Sequence, residues 1–314
     1  MPFLRSRALC FVLAGATLAA IMPLSFGQVR PLHTRDLTRL SQVQVAAYLK
    51  RSDIIFIPVG AVETNGIMPS DRDYVSPLGM VMAMADELDA LYMPGLVWSY
   101  AGTTLVAPAT IDITPTEGKN FLRAVAESLL KQGFRRQVYV SMGQGPAPLT
   151  AGPLVREFYD EEHVPILYID MDTYLPKLKL GSDVRSKLMY GTHYIAGRID
   201  DIPVQGDYGK EESSAAGQVP ENKGLAGLTH LGYSGSLSLG SWIPDVMAHG
   251  SGRPPVLAAN AAEREQWGKE GKAQVIAIVK QMRLQEAMND LKEHDEFTNH
   301  VLVPKYGKIL PGVK

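Results

Sequence analysis

Ile54-Ile-Phe-Ile-Pro-Val59-Gly60-Ala-Val-Glu63-Thr-Asn65-Gly66-Ile-Met-Pro69-Ser-Asp71-Arg72-Asp73 decides how the chain folds. Its first six residues are an unbroken apolar run of strand length, and such strands are buried on both faces, as in parallel sheets covered by helices. The strand runs into a glycine turn that holds Glu63, Asn65 and Asp73. Downstream, short apolar runs alternate with amphipathic stretches. Residues 80–91 have helix-forming composition and residues 92–97 read as a strand. Residues 116–132 form a helix opened by the capping sequence Thr114-Pro-Thr-Glu117 and closed by Gly133. Strands follow at 136–141 and 164–170, separated by a helix at 149–159. This βαβαβαβ series predicts an α/β fold: a mostly parallel sheet flanked by helices on both faces, in α/β/α layers.

Further out the pattern changes. Residues 181–256 are rich in Gly, Ser and Pro and predict long loops with a few strands, the kind of segment that carries function or subunit contacts. Residues 258–293 predict a long helical stretch packed on the sheet, and 294–314 a weakly specified tail. At the other end, Arg5 and Arg7 precede an apolar run from Ala8 to Leu24, followed by small residues at Ser25 and Gly27. Residues 1–27 are therefore expected to be a secretory signal cut after Gly27, leaving 28–293 as one α/β domain and 294–314 as its tail. The only cysteine, Cys10, goes with the signal, which suits an oxidising periplasm or the outside of the cell. The mature chain would carry 29 basic against 33 acidic residues. That balance argues against a nucleic-acid or anionic-membrane partner and leaves a small molecule as the expected one.

In an open parallel sheet, ligands bind beyond the carboxyl ends of the strands. Three segments there carry polar side chains between glycines: Gly60 to Asp73, Ser141-Met-Gly143-Gln144-Gly145, and Gly206-Asp207-Tyr-Gly209-Lys210-Glu211-Glu212-Ser213-Ser214. With Pro108-Ala-Thr110 and Gly133-Phe-Arg135, these five pieces resemble, in order and nearly in spacing, the motifs of the creatininase (creatinine amidohydrolase) family. The resemblance implies a hexameric α/β amidohydrolase with a two-metal site, often zinc or manganese, acting on a cyclic amide or other carbon–nitrogen bond. Two cations about 3.5–4 Å apart would activate a water and polarise the carbonyl. Carried over by position, Glu63 and Asp73 would be metal ligands, joined by Asn65 and Asp207, with Asp73 the bridge. Glu212, Gln144 and Lys210 would be the catalytic residues, Glu212 as acid/base or further ligand.

Asn65, Gln144 and Asp207 stand where the family has histidines, and Lys210 where it has a glutamate. Imidazole holds zinc well and neutral amide oxygens hold it poorly. The remaining all-oxygen set suits magnesium or calcium, or an empty site in which Lys210 supplies the charge. Of the seven histidines, His193, His230 and His249 lie in the loop-rich region and could reach the crevice as replacement ligands or bases. The replacements set an inactive, ligand-binding or scaffolding family member beside the exported amidohydrolase as the functions to be told apart.

Overall fold

The structure is a computed structural model and describes residues 32–95, 99–101, 109–111, 113–143, 147–208 and 256–307. Four parallel strands, β1 (Ile54–Pro58), β2 (Leu91–Tyr92), β3 (Arg136–Ser141) and β4 (Leu167–Asp170), lie in the order β2-β1-β3-β4. Ile55 pairs with Leu91, Phe56 with Val138, and Val140 with Ile169. The helices are α1 (Gln42–Leu49), α2 (Arg72–Glu87), α3 (Pro115–Gln132), α4 (Pro148–Glu162), α5 (Met171–Tyr174), α6 (Ser182–Ile195), α7 (Ala261–Gln281), α8 (Leu284–Phe297) and α9 (Val303–Tyr306).

Side chains alternate across a strand, so the all-apolar β1 feeds two cores. Ile54 and Phe56, with Val138 and Val140, pack against Met80 and Met84 of α2, Leu188 of α6, Val275 of α7 and Met288 of α8. Ile55 and Ile57, with Tyr139, face Tyr48 of α1, Leu122 and Leu129 of α3, and Leu154 and Phe158 of α4. These are the expected α/β/α layers. Among the described residues no helix is long and apolar enough to cross a membrane.

The local signals around α3 act as read. Thr114 and Glu117 form a reciprocal capping box, and Gly133 closes the helix at φ 108°, a left-handed conformation that costs glycine little. Besides β2, which spans only Leu91–Tyr92 where 92–97 reads as a strand, four boundaries differ from the sequence reading. Helix α2 begins at Arg72 rather than near Met80, despite Pro77 in its second turn, so Asp73 sits in a helical first turn. Strand β4 begins at Leu167, although Val164 and Ile166 are still buried. The expected single helix of 258–293 is broken at Arg283, in the left-handed region at φ 52°, and its second half runs on to Phe297 in what was read as tail.

The fourth difference matters most for the site. Residues 182–195 were read as loop but form α6, because their glycine serves helix packing. A Cβ on Gly191 would lie 2.2 Å from the backbone carbon of Gly271 in α7, and one on Gly79 of α2 would lie 2.1 Å from the Thr192 carbonyl oxygen. Glycine here lets three helix backbones touch.

Candidate functional site

From β1 the chain crosses through α2 to β2 on one side, then through α3 to β3 on the other side of β1. That reversal leaves a crevice at the carboxyl ends of β1 and β3, where such sheets bind ligands. A cavity of about 290 Å³ lies there. Arg72, Asp73 and Ser76 of α2 line it, with Met142 and Gly143 just after β3 and Asp172 just after β4. Leu175, Pro176, Leu188 and Met189 complete an apolar wall.

Asp73 is placed by the glycine at the end of β1. A Cβ on Gly60 would fall 2.5 Å from the Asp73 carbonyl oxygen, so only glycine lets the first turn of α2 come this close to the strand. The Asp73 side chain is 2% exposed. Arg72 Nε and Nη2 donate to its Oδ1 at 3.0 and 2.9 Å, and Asn65 Nδ2 approaches its Oδ2 at 3.4 Å. A carboxylate this deep needs such partners, since unpaired burial of charge is costly. On the far side of Asp73, Gly143 turns at φ 73° and its N–H donates to Asp172 Oδ1 at 3.0 Å. A Cβ on Gly143 would stand 3.6 Å from Asp73 Oδ1, so Asp73 and Asp172 both border this glycine. Asp172 is held in turn by its own N–H, which donates to the Asp170 carboxylate capping α5.

Of the residues singled out in the sequence, Glu63, Asn65 and Asp73 are all buried, and Asn65 ties the other two together. Its Nδ2 also lies 3.3 Å from the Glu63 backbone oxygen, while its buried Oδ1 has no hydrogen-bond partner among the described residues. Asp207 is exposed, and its Oδ2 accepts the Val204 N–H at 2.8 Å, closing its own turn. Gln144, Lys210, Glu212, His230 and His249 lie outside the described residues.

His193 is not a loop residue. It sits on α6, 1% exposed, with Nδ1 2.9 Å from the Met189 carbonyl oxygen, which fixes Nδ1 as the donor and leaves the buried Nε2 lone pair without a partner among the described residues. Burial pushes its pKa down to about 4, against the opposing pull of the Met189 hydrogen bond, so the ring is neutral at ordinary pH. Beside it, Arg198 pairs with Asp71 at 3.1 Å, just before α2.

Sequence reading missed Arg72 and Asp172. Asp172 follows a strand end, and the same strand-end rule could have found it. For Arg72 the only signal was its place between Asp71 and Asp73.

The donor set decides how well these residues would hold a metal pair. Arg72 brings a guanidinium to one oxygen of Asp73, and Asn65 turns an N–H toward the other, so two donors stand where a cation needs lone pairs. Among the described residues no three His, Cys, Asp or Glu side chains come together as a metal cluster. The described part of the site does not fit a metal pair.

The fold is α/β, and the crevice at its strand ends carries Arg72, Asp73 and Ser76 on α2 and Asp172 after β4. Residues 38–167 match the family model Creatininase, described as creatinine amidohydrolase. A creatinine amidohydrolase (creatininase) structure is 14% identical with a TM-score of 0.50, covering 81% of this chain and 98% of that one. A mutant creatininase described as Zn-Zn type is 16% identical with a TM-score of 0.51, covering 81% and 99%. At that identity the likeness shows the shared fold. No curated protein matches the chain.

Proposed function

We propose that this protein is an exported, creatininase-family binder of a small cyclic or open-chain amide, held in the crevice between Arg72 and Asp172. The observation that carries this reading is the make-up of the cavity: the side chains of Arg72, Asp73 and Asp172 border it, with an apolar wall of Leu175, Pro176, Leu188 and Met189. A cyclic amide or ureide has the matching chemistry. Its carbonyl accepts from a guanidinium, its N–H donates to a carboxylate, and its flat body packs on apolar side chains.

Hydrolysis of the carbon–nitrogen bond is the second reading, favoured by the match of residues 38–167 to the creatininase family model. In that reading Arg72 polarises the carbonyl, and Glu212, Gln144 and Lys210 supply the proton transfers and the remaining contacts. Binding without turnover comes first because the carboxylate expected to be the metal bridge is already paired with Arg72. We also assign the mature product to the periplasm or the exterior, as a homo-oligomer and a hexamer by family resemblance. Its acidic balance supports the absence of a nucleic-acid partner.

Calorimetric titration with creatinine, hydantoin and small lactams, followed by chromatography of the same samples for ring-opened product, tests both readings. Saturable binding of at least one compound with Kd below about 1 mM, abolished by Met189→Trp, supports the ligand site. Product formation would move the assignment to hydrolase. Absence of binding across the series refutes both.

A further inference from the structure

We infer that the Arg72 guanidinium takes the electrostatic place of a metal cation at Asp73, so that the strand-end site is assembled and stable without a divalent ion. Asp73 is a buried carboxylate in the first turn of a helix, and the positive end of the helix dipole offsets only part of its charge. The rest must come from a cation at hydrogen-bond distance. That cation is the adjacent residue of the chain, with two of its nitrogens on one carboxylate oxygen. Being fixed at Gly60 by backbone contact, the turn cannot swing Asp73 out to meet an ion elsewhere. A divalent ion seeking Asp73 would have to displace the guanidinium and then sit beside its positive charge. On the second oxygen, Asn65 presents an N–H, where a metal site would have a ligand with a lone pair.

Lys210, which the sequence offers as a source of that charge, lies outside the described residues, and the inference rests on Arg72 alone. It stands apart from the ligand reading, because metal content and stability are measured with no small molecule present.

The test uses the mature full-length protein, dialysed against EDTA and then metal-free buffer. Elemental analysis and thermal unfolding follow, with and without about 1 mM zinc, manganese or magnesium chloride. The wild type is expected to carry well under about 0.1 equivalent of metal and to unfold at the same temperature with EDTA or added ions. Arg72→Gln strips Asp73 of its cation and is expected to lower Tm by about 5 °C, a loss that manganese or magnesium then partly restores. Arg72→Lys keeps a cation and is expected to stay within about 2 °C of wild type. Wild-type protein that retains one or two equivalents of zinc or manganese through dialysis, and loses Tm when EDTA removes them, overturns the inference. So does an Arg72→Gln variant as stable as wild type. Should Arg72→Gln fail to fold, the wild-type metal content and the Arg72→Lys comparison decide the matter alone.

Discussion

Gly191→Ala adds one methyl group at the crossing of α6 and α7. That methyl would stand 2.2 Å from the Gly271 backbone carbon, 2.4 Å from its oxygen and 2.6 Å from the Lys272 nitrogen. Ordinary contact begins at 3.4 Å, so the helices must part by about 1.2 Å. All three obstacles are backbone atoms, and no side-chain rotation relieves them. Overpacking of this kind costs about 1–3 kcal/mol or more, while Ala gains about 1 kcal/mol over Gly in a helix interior. Parting the helices also loosens Leu188 and Val275 from one core. The net expectation is a loss of about 2 kcal/mol. Gly152→Ala in α4 is the open-space control: beyond its chain neighbours nothing lies within 4 Å of the new methyl, and Pro153 beside it offsets the helix-propensity gain, so stability should stay within about 0.5 kcal/mol of wild type. Urea unfolding followed by circular dichroism reads both as shifts of the midpoint at unchanged slope. If Gly191→Ala leaves the protein as stable as Gly152→Ala does, glycine is not what brings these helices together.

His193 gives an acid-side prediction. Its folded pKa, about 4, lies below its ordinary 6.5, so the unfolded chain takes up a proton that the folded one refuses as pH falls between those values. Stability present above about pH 6.5 is lost towards pH 4 at up to about 1.4 kcal/mol per pH unit. His193→Leu should flatten that part of the stability–pH curve, and an unchanged slope would assign it to other groups. Tyr48→Phe removes a buried hydroxyl that donates to the Ile54 oxygen at 2.7 Å and accepts the Leu91 N–H at 3.3 Å, where α1 meets β1 and β2. The two stranded backbone groups should cost about 1–3 kcal/mol in the same unfolding assay. Thr114→Ala dissolves the exposed capping box of α3 and should cost about 1 kcal/mol.

What could be read from sequence was the part of the fold encoded by neighbours along the chain. The apolar run of β1, the Thr114 to Glu117 box and the Gly133 stop each act within about six residues, and the structure shows all three. Helix α6 escaped because Gly191 looks like a loop residue until Gly271 is placed 80 positions away against it. The start of α2 escaped because the close packing of Gly60 on Asp73 fixes that turn through a contact between elements. At the site, Asp73, Glu63 and Asn65 were legible as strand-end polar residues, and the structure buries them together. Arg72 was not, because nothing in a sequence tells whether a guanidinium turns to its neighbouring carboxylate or to solvent. Asp207 was carried over from a motif position, and the turn it closes with Val204 is purely local chemistry.

The account rests on Arg72 holding Asp73 at the end of β1, and a high-resolution crystal structure of the dialysed mature protein grown with hydantoin, zinc and manganese tests this most directly. The expected map shows Arg72 Nε and Nη2 on Asp73 Oδ1, hydantoin lying between Arg72 and Asp172 against Met189, and no anomalous signal at the carboxylate. An anomalous peak bridging Asp73 and Glu63, with the guanidinium of Arg72 turned away, would contradict it.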